Sequence, residues 1–330
     1  MPFPFITGTA IQPPAQPVEL PQPSKAKQLD PAGYRMEQPL VDAVNVAILL
    51  SQPLLLTGDP GTGKTQLAYR VAWELGLGEP IRFDTKSTST ARDVLYRYDT
   101  LSRFHAAQTN TGSQHNLHYL DYVALGQAII LSRKPEEVMN LLPPGFRHPG
   151  PRRSVVLVDE IDKASRDFPN DLLLEVDALQ FRIPELNEEV KANPELRPVL
   201  ILTSNSEQNL PDAFLRRCIY YHIPLPDRHR LAEIVRNRVP GICQGQDNSL
   251  LLDSALDMFE EVRKLDLRKK PSTAELLNWL QVLEGYGAKP EEPVKAASDA
   301  LRNSLSALAK TKEDRPRLMD WVEKTVLASS

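Results

Sequence analysis

The sequence predicts an α/β fold: a parallel five-stranded sheet with helices on both faces, followed by a small helical domain. Three observations predict it. Short, nearly continuous apolar runs recur at 53–58, 155–160 and 199–205, the pattern of strands buried on both faces. Between strands, apolar residues return with a helical period, as in units that alternate strand and helix. Beyond Pro224 to Asp227 the strand pattern stops and only the helical period continues.

The first thirty residues are rich in Pro and Gln, with prolines at 2, 4, 13, 14, 17, 21 and 23. Proline removes amide donors and blocks regular elements. An N-terminal extension over 1–37 is expected, either running extended over a surface or disordered. From Gln38, QPLVDAVNVAILLSQ places apolar residues at 40, 41, 44, 48 and 49, a helical spacing. PLLLTG at 53–58 reads as a short buried strand entering a glycine-rich turn. TGKTQLAYRVAWELG continues as a helix through Leu67, Val71 and Leu75, and Gly76 can end it. Further strands are expected at 81–85 (IRFDT), 155–160 (VVLVDE), 199–205 (VLILTSN) and 219–224 (IYYHIP). Residues 38–226 therefore read as one α/β domain.

Residues 227–330 read as helical. RHRLAEIVRNRV carries Leu231, Ile234, Val235 and Val239, and STAELLNWLQVLEGYG carries Leu276, Leu277, Leu280 and Leu283. SLLLDSALDMFEEVRKL lies between them. Gly285 and Gly287 stop the third helix, AKPEEPV at 288–294 is a connector, and two more helices are expected over 295–330.

Composition narrows the function classes. The formal net charge of -4 argues against a wholly basic nucleic-acid binder. Cys218 and Cys243 are the two cysteines, which fits thiols in a reducing compartment better than a disulfide scaffold. No basic segment precedes an apolar stretch at the N-terminus, and no run approaches the ~20 apolar residues of a bilayer span. A cytoplasmic protein without a membrane span is expected.

The strongest motif is GDPGTGKT at 58–65, placed between a strand and a helix. That context matters, because glycines let backbone N–H groups turn toward phosphate oxygens while the helix N-terminus adds its dipole. Asp59, Pro60, Gly61, Thr62, Gly63, Lys64, Thr65 and Gln66 are the candidate nucleotide-binding residues. Lys64 reaches the β and γ phosphates, and the Thr65 hydroxyl is a candidate ligand for Mg²⁺. The loop reads phosphates and not the base, so it leaves adenine versus guanine open.

VVLVDEID at 155–162 sends two acids out of the C-terminal edge of a buried strand, the edge where ligands sit in open α/β sheets. Asp159 is placed to hold Mg²⁺ directly or through its water. Successive strand side chains alternate, so Glu160 points elsewhere and can orient and deprotonate the attacking water. Asp162 and Lys163 cap or pair at the following helix start. Asn205, just past VLILTSN, either holds the lytic water opposite Glu160 or forms an ordinary Asn turn.

Together these residues resemble an AAA+ ATPase, and within that class the MoxR-type group. The resemblance rests on LLLTGDPGTGKTQLA at 54–68, VVLVDEIDKA at 155–164, LILTSNSEQNLPDAFLRRC at 201–218 and the helical region after 225. LLLEVDALQFRIPELNE at 172–188 is similar to the group's acidic helix and β-hairpin insert. The similarity covers roughly residues 35–285. It implies a P-loop NTPase fold with a helical lid, and ATP with Mg²⁺ as substrate and metal. Lys64 and Thr65 match the Walker A lysine and hydroxyl, Asp159 and Glu160 the Walker B pair, and Asn205 the sensor 1 residue. Arg216 or Arg217 matches the arginine finger that reaches a neighbour's γ-phosphate. Lys270 matches the lid's sensor 2 residue, with Arg268 and Lys269 as rivals. The resemblance further implies a homo-oligomeric ring, commonly a hexamer, acting on a protein client and often served by a von Willebrand A domain partner. A nucleic-acid-directed motor and a nucleotide-gated scaffold with little turnover are the alternative readings.

Two regions keep two readings each. Tyr96, Tyr98, Phe104, Tyr119 and Tyr122 are concentrated in the long stretch 86–150. Ser87 to Arg103 is either a substrate-engaging loop, as the resembled group carries here, or locally packed chain. Arg82, Lys86 and Arg92 nearby read as charge for an acidic partner or as solvated surface. Tyr34 and Met36 close an adenine pocket or simply pack as linker. His115 and His118 make a weak zinc motif without a second cluster.

Overall fold

The computed structural model describes residues 5–6, 20, 30–109, 115–206, 210–243 and 249–327. The reading of residues 1–30 lies almost wholly outside the described residues. Two compact units emerge among the described residues: one holds Tyr34–Asp59 and Gly63–Ile223, the other Pro60–Thr62 and the described residues before Tyr34 and from Pro224 onward.

In the first unit, five strands form one parallel sheet. They are β1 (Leu54–Thr57), β2 (Ile81–Asp84), β5 (Val155–Asp159), β8 (Val199–Thr203) and β9 (Ile219–His222), in the order β2-β5-β8-β1-β9. Strand alternation divides the apolar residues between two faces. Leu55, Val156, Val158, Leu200 and Leu202 pack to one side with α4 (Ala124–Leu131) and α5 (Phe168–Ala178). Leu54, Leu56, Val155, Leu157, Val199 and Ile201 pack to the other with α1 (Gln38–Leu50) and α2 (Lys64–Glu74). Both faces being covered explains why these strands are apolar throughout. The edge strands β2 and β9 are only partly buried, and they are the more polar ones.

α1 buries Leu40, Val44 and Ala47, a narrower stripe than the sequence spacing implies. Leu49 is 82% exposed, because two residues past Ala47 the helix has turned about 200° away from the sheet.

Between β2 and β5 lies an antiparallel pair, β3 (Tyr96–Tyr98) with β4 (Leu120–Tyr122), joined through α3 (Thr100–Thr109). Tyr96 and Tyr122 are buried; Tyr96 stacks on Phe181 at 5.9 Å, and Tyr122 meets Phe146 and Phe181 edge-on. For these two rings local packing is the observed role. Phe104, on α3, is exposed. A second hairpin, β6 (Gln180–Ile183) with β7 (Glu188–Lys191), follows α5.

The second unit contains α6 (Arg228–Arg238), α7 (Leu250–Lys264), α8 (Thr273–Gly285), α9 (Ser298–Ser304) and α10 (Asp314–Trp321). Their starts are chemically marked. Asp227 accepts the Arg230 N–H at 2.8 Å, Ser249 accepts the Leu252 N–H at 3.2 Å, and Ser272 with Glu275 forms a capping box. Phe259, Leu276, Trp279, Leu280 and Leu301 make a fully buried core. Among the described residues no helix is long and apolar enough to cross a membrane, and no cluster of three His, Cys, Asp or Glu could hold a metal. Cys218 and Cys243 are free and buried. Burial pushes the Cys218 thiol up to about 12, which keeps it protonated and unreactive at neutral pH.

Candidate functional site

The sheet order brings the motifs together. β8 lies between β1, which feeds the glycine-rich loop, and β5, which ends in the acidic pair. The residues leaving β8 therefore reach both neighbours.

The loop opens α2 without a side-chain cap at Gly63. The Leu67 N–H donates back to Gly63 O at 3.2 Å. Gly63 has φ 91°, and a Cβ there would lie 2.9 Å from the Tyr34 ring, so only glycine fits. Tyr34 and Met36 both pack against the α1/α2 face of the sheet, and the Tyr34 ring borders the loop at Gly63. Lys64 is buried, and its ammonium donates to Gly58 O (2.8 Å), Asp59 O (3.0 Å) and Asn205 Oδ1 (3.0 Å). Burial lowers its pKa against the pull of Asp159, Asp162, Asp59 and Glu160. Asp59, Pro60 and Gly61 are exposed, Thr62 is buried, and Gln66 is partly buried.

Asp159 ends β5 and is 5% exposed. The Thr65 hydroxyl lies 3.1 Å from both its carboxylate oxygens. Thr203 donates to Oδ1 at 2.5 Å, and Arg82 pairs with Oδ2 at 2.9 Å. A hydroxyl and a carboxylate converging in this way are hard oxygen donors of the kind Mg²⁺ takes alongside phosphates; the residues fit that ion.

Glu160 leaves the strand. It adopts a left-handed conformation, φ 57° and ψ 53°, which costs about 1–3 kcal/mol for a residue with a Cβ. The left-handed turn, rather than strand alternation, sets its direction. Its N–H is held by Thr203 Oγ1 at 2.8 Å. Asn205 Nδ2 donates to Oε1 at 3.3 Å, and Lys163 donates to Oε2. Burial alone would raise the Glu160 carboxyl, but the hydrogen bonds from Lys163 and Asn205 outweigh it and hold it below the usual range. Asn205 thus bridges Lys64 and Glu160, and its own N–H is held by Asp162 at 3.2 Å.

A family model described as an AAA domain of the dynein-related subfamily matches residues 53–218. The chain belongs to this AAA family. It carries an ATP-binding and ATP-hydrolysing domain of the AAA+ kind. Among solved structures the chain is similar to NtrX from Brucella abortus in complex with ATP, at 14% identity and a TM-score of 0.47, covering 92% of this chain and 64% of that one. It is also similar to the FIGL-1 AAA domain in complex with ADP, at 17% identity and a TM-score of 0.39, covering 83% of this chain and 78% of that one. The chain thus spans less than two thirds of the NtrX chain. No curated protein sequence matches it.

Within the AAA domain, Arg216 and Arg217 follow the short helix Asp212–Leu215, and both are exposed. Arg217 lies 4.0 Å from Asp177. Arg216 makes no ion pair with another described residue. Neither is part of the Lys64–Asn205–Glu160 cluster. Lys270 lies in the helical unit and is exposed. Its neighbours Arg268 and Lys269 are fixed through their N–H groups, which donate to the Asp314 carboxylate at 2.9 and 3.2 Å.

Two partners of the acidic pair were not assigned by the motifs, Thr203 and Arg82, whereas Lys163, expected to cap or pair at the helix start, pairs with Glu160. The signal for Thr203 is a polar residue closing an otherwise apolar strand beside the acidic one. Arg82 carries no local signal, because its partner comes from the neighbouring strand.

Proposed function

We propose that this chain hydrolyses ATP in an oligomeric ring of the MoxR type, and that the ring remodels a protein client. The observation that carries the hydrolytic part is the continuous chain from Lys64 through Asn205 to Glu160. It couples a phosphate-holding ammonium to a water-activating carboxylate through one amide.

The residues divide the work as follows. The uncapped start of α2 and Lys64 hold the β and γ phosphates of ATP. Thr65 and Asp159 hold Mg²⁺, which when bound offsets phosphate charge. Glu160 orients a water against the γ-phosphorus and takes its proton as the oxygen–phosphorus bond forms and the bond to ADP breaks. Asn205 keeps Glu160 aligned with Lys64. Lys163 and Asn205 hold the Glu160 carboxyl below the usual glutamate range. Exposed Arg216 acts on the nucleotide of an adjacent subunit, with Arg217 as its rival, and Lys270 acts from the helical unit on nucleotide bound to the same chain. A contact of this head-to-tail type closes into a ring. The MoxR-type assignment is supported by the motif set and by the β6–β7 hairpin after α5, and it brings a von Willebrand A domain protein as the partner to test.

Light scattering after size exclusion of Glu160→Gln with ATP tests the ring. A multi-subunit species that dissociates when nucleotide is removed is expected; a monomer in saturating ATP would overturn the ring reading.

A further inference from the structure

One charge in the site has no part in the scheme above. Arg82 stands on the edge strand β2, beside β5. Its guanidinium reaches two carboxylates: Asp159 Oδ2 at 2.9 Å and Asp84 Oδ1 at 2.6 Å. The two partners differ in setting. The Asp159 side chain is 7% exposed, whereas that of Asp84 is 67% exposed.

A carboxylate as buried as Asp159 requires compensation. The Thr65 and Thr203 hydroxyls give hydrogen bonds but no charge. Lys64 acts on the carboxylate through space, and Arg82 is the cation in direct contact with it. A divalent ion held by Asp159 and Thr65 would set two further positive charges near the guanidinium, at a range where like charges repel. Asp84 offers Arg82 a solvated partner that it already touches, so the guanidinium can give up Asp159 without losing an ion pair.

We propose that Arg82 is the resident counter-ion of Asp159 and competes with Mg²⁺ for it, passing to Asp84 when the ion binds. Arg82 is a positioning residue acting through Asp159. It sustains the metal-free site and sets how much divalent ion the site demands. The inference rests on the assignment of Thr65 and Asp159 to Mg²⁺.

The test is Mn²⁺ binding by the full chain, followed by the electron paramagnetic resonance signal of free Mn²⁺. ADP is kept below the protein concentration so that no free nucleotide takes up metal. Wild type, Arg82→Gln and Asp84→Asn are compared. Arg82→Gln is expected to bind Mn²⁺ about fivefold more tightly, the factor a partly exposed charge pair carries. Asp84→Asn removes the alternative partner and is expected to bind more weakly. Equal or weaker binding by Arg82→Gln overturns the proposal. If that variant does not fold, Asp84→Asn decides, and unchanged or tighter binding overturns it. Failure of the wild type to bind Mn²⁺ beside ADP would instead refute the metal assignment itself.

Discussion

Thr203→Val is the substitution that most sharply separates a structural from a catalytic account of the acidic pair. One hydroxyl makes two contacts: it donates to Asp159 at 2.5 Å and accepts the Glu160 N–H at 2.8 Å. Valine keeps the shape and loses both. A hydrogen bond to an ionised group contributes about 1.5–3 kcal/mol, and a stranded N–H costs about 1–3 kcal/mol. The added methyl returns about 1 kcal/mol. The variant should therefore lose about 1.5–5 kcal/mol of stability in urea unfolding. Turnover should fall further than occupancy of the site. Glu160 keeps a left-handed backbone partly because its N–H is tied to β8, and each ~1.4 kcal/mol of lost positioning is about tenfold in kcat. The KM for ATP should change much less, since Lys64 and the helix start are untouched. Thr203→Ser should restore both properties. A Thr203→Val protein within about 0.5 kcal/mol of wild type and equal in kcat would refute the reasoning.

Other substitutions probe the remaining parts. Lys163→Met removes a donor that holds the Glu160 carboxyl down, so the acid limb of the kcat–pH profile should move to higher pH; an unmoved limb would exclude Lys163 as the cause. Because the folded-state carboxyl is depressed, its contribution to stability is present above the ordinary glutamate range and is lost as pH falls through the folded value, and Lys163→Met should shrink that loss. Arg216→Ala should cost about 10³-fold or more in turnover if the residue acts across an interface. Mixing it with Lys64→Ala should then recover activity, because mixed interfaces pair an intact loop with an intact finger; no recovery would count against Arg216. In the helical unit, Ser304 accepts the buried Trp279 indole N–H at 2.9 Å, so Ser304→Ala should destabilise by about 1–3 kcal/mol, measured by calorimetry, with little effect if the indole finds another acceptor.

The sheet was legible because its central strands are buried on both faces, so the apolar runs at 53–58, 155–160 and 199–205 contain the observed strands Leu54–Thr57, Val155–Asp159 and Val199–Thr203. The helical unit was legible from its apolar period, and the structure adds that its helices start at the caps Asp227, Ser249 and Ser272. Lys64, Thr65, Asp159 and Glu160 could be singled out because their chemistry is local to a loop or a strand end. What could not be read depends on lateral neighbours. Arg82 and Asp159 meet only because β2 lies beside β5, and Thr203 meets both acids only because β8 lies beside β5. Neither register is written in spacing along the chain. The direction of Glu160 follows from a left-handed turn that no residue type announces, since glutamate rarely adopts it. The same limit applies to α1, where an apolar spacing broader than the buried stripe concealed the outward position of Leu49.

The central claim is that the Lys64–Asn205–Glu160 chain hydrolyses ATP in an assembly. Nucleotide turnover across a protein concentration series, with ATP and with GTP and beside Glu160→Gln, tests it most directly. The account predicts turnover per subunit that rises steeply with concentration, prefers ATP, and is lost in Glu160→Gln while nucleotide binding persists. Turnover absent at every concentration despite tight ATP binding, or undiminished in Glu160→Gln, would contradict it.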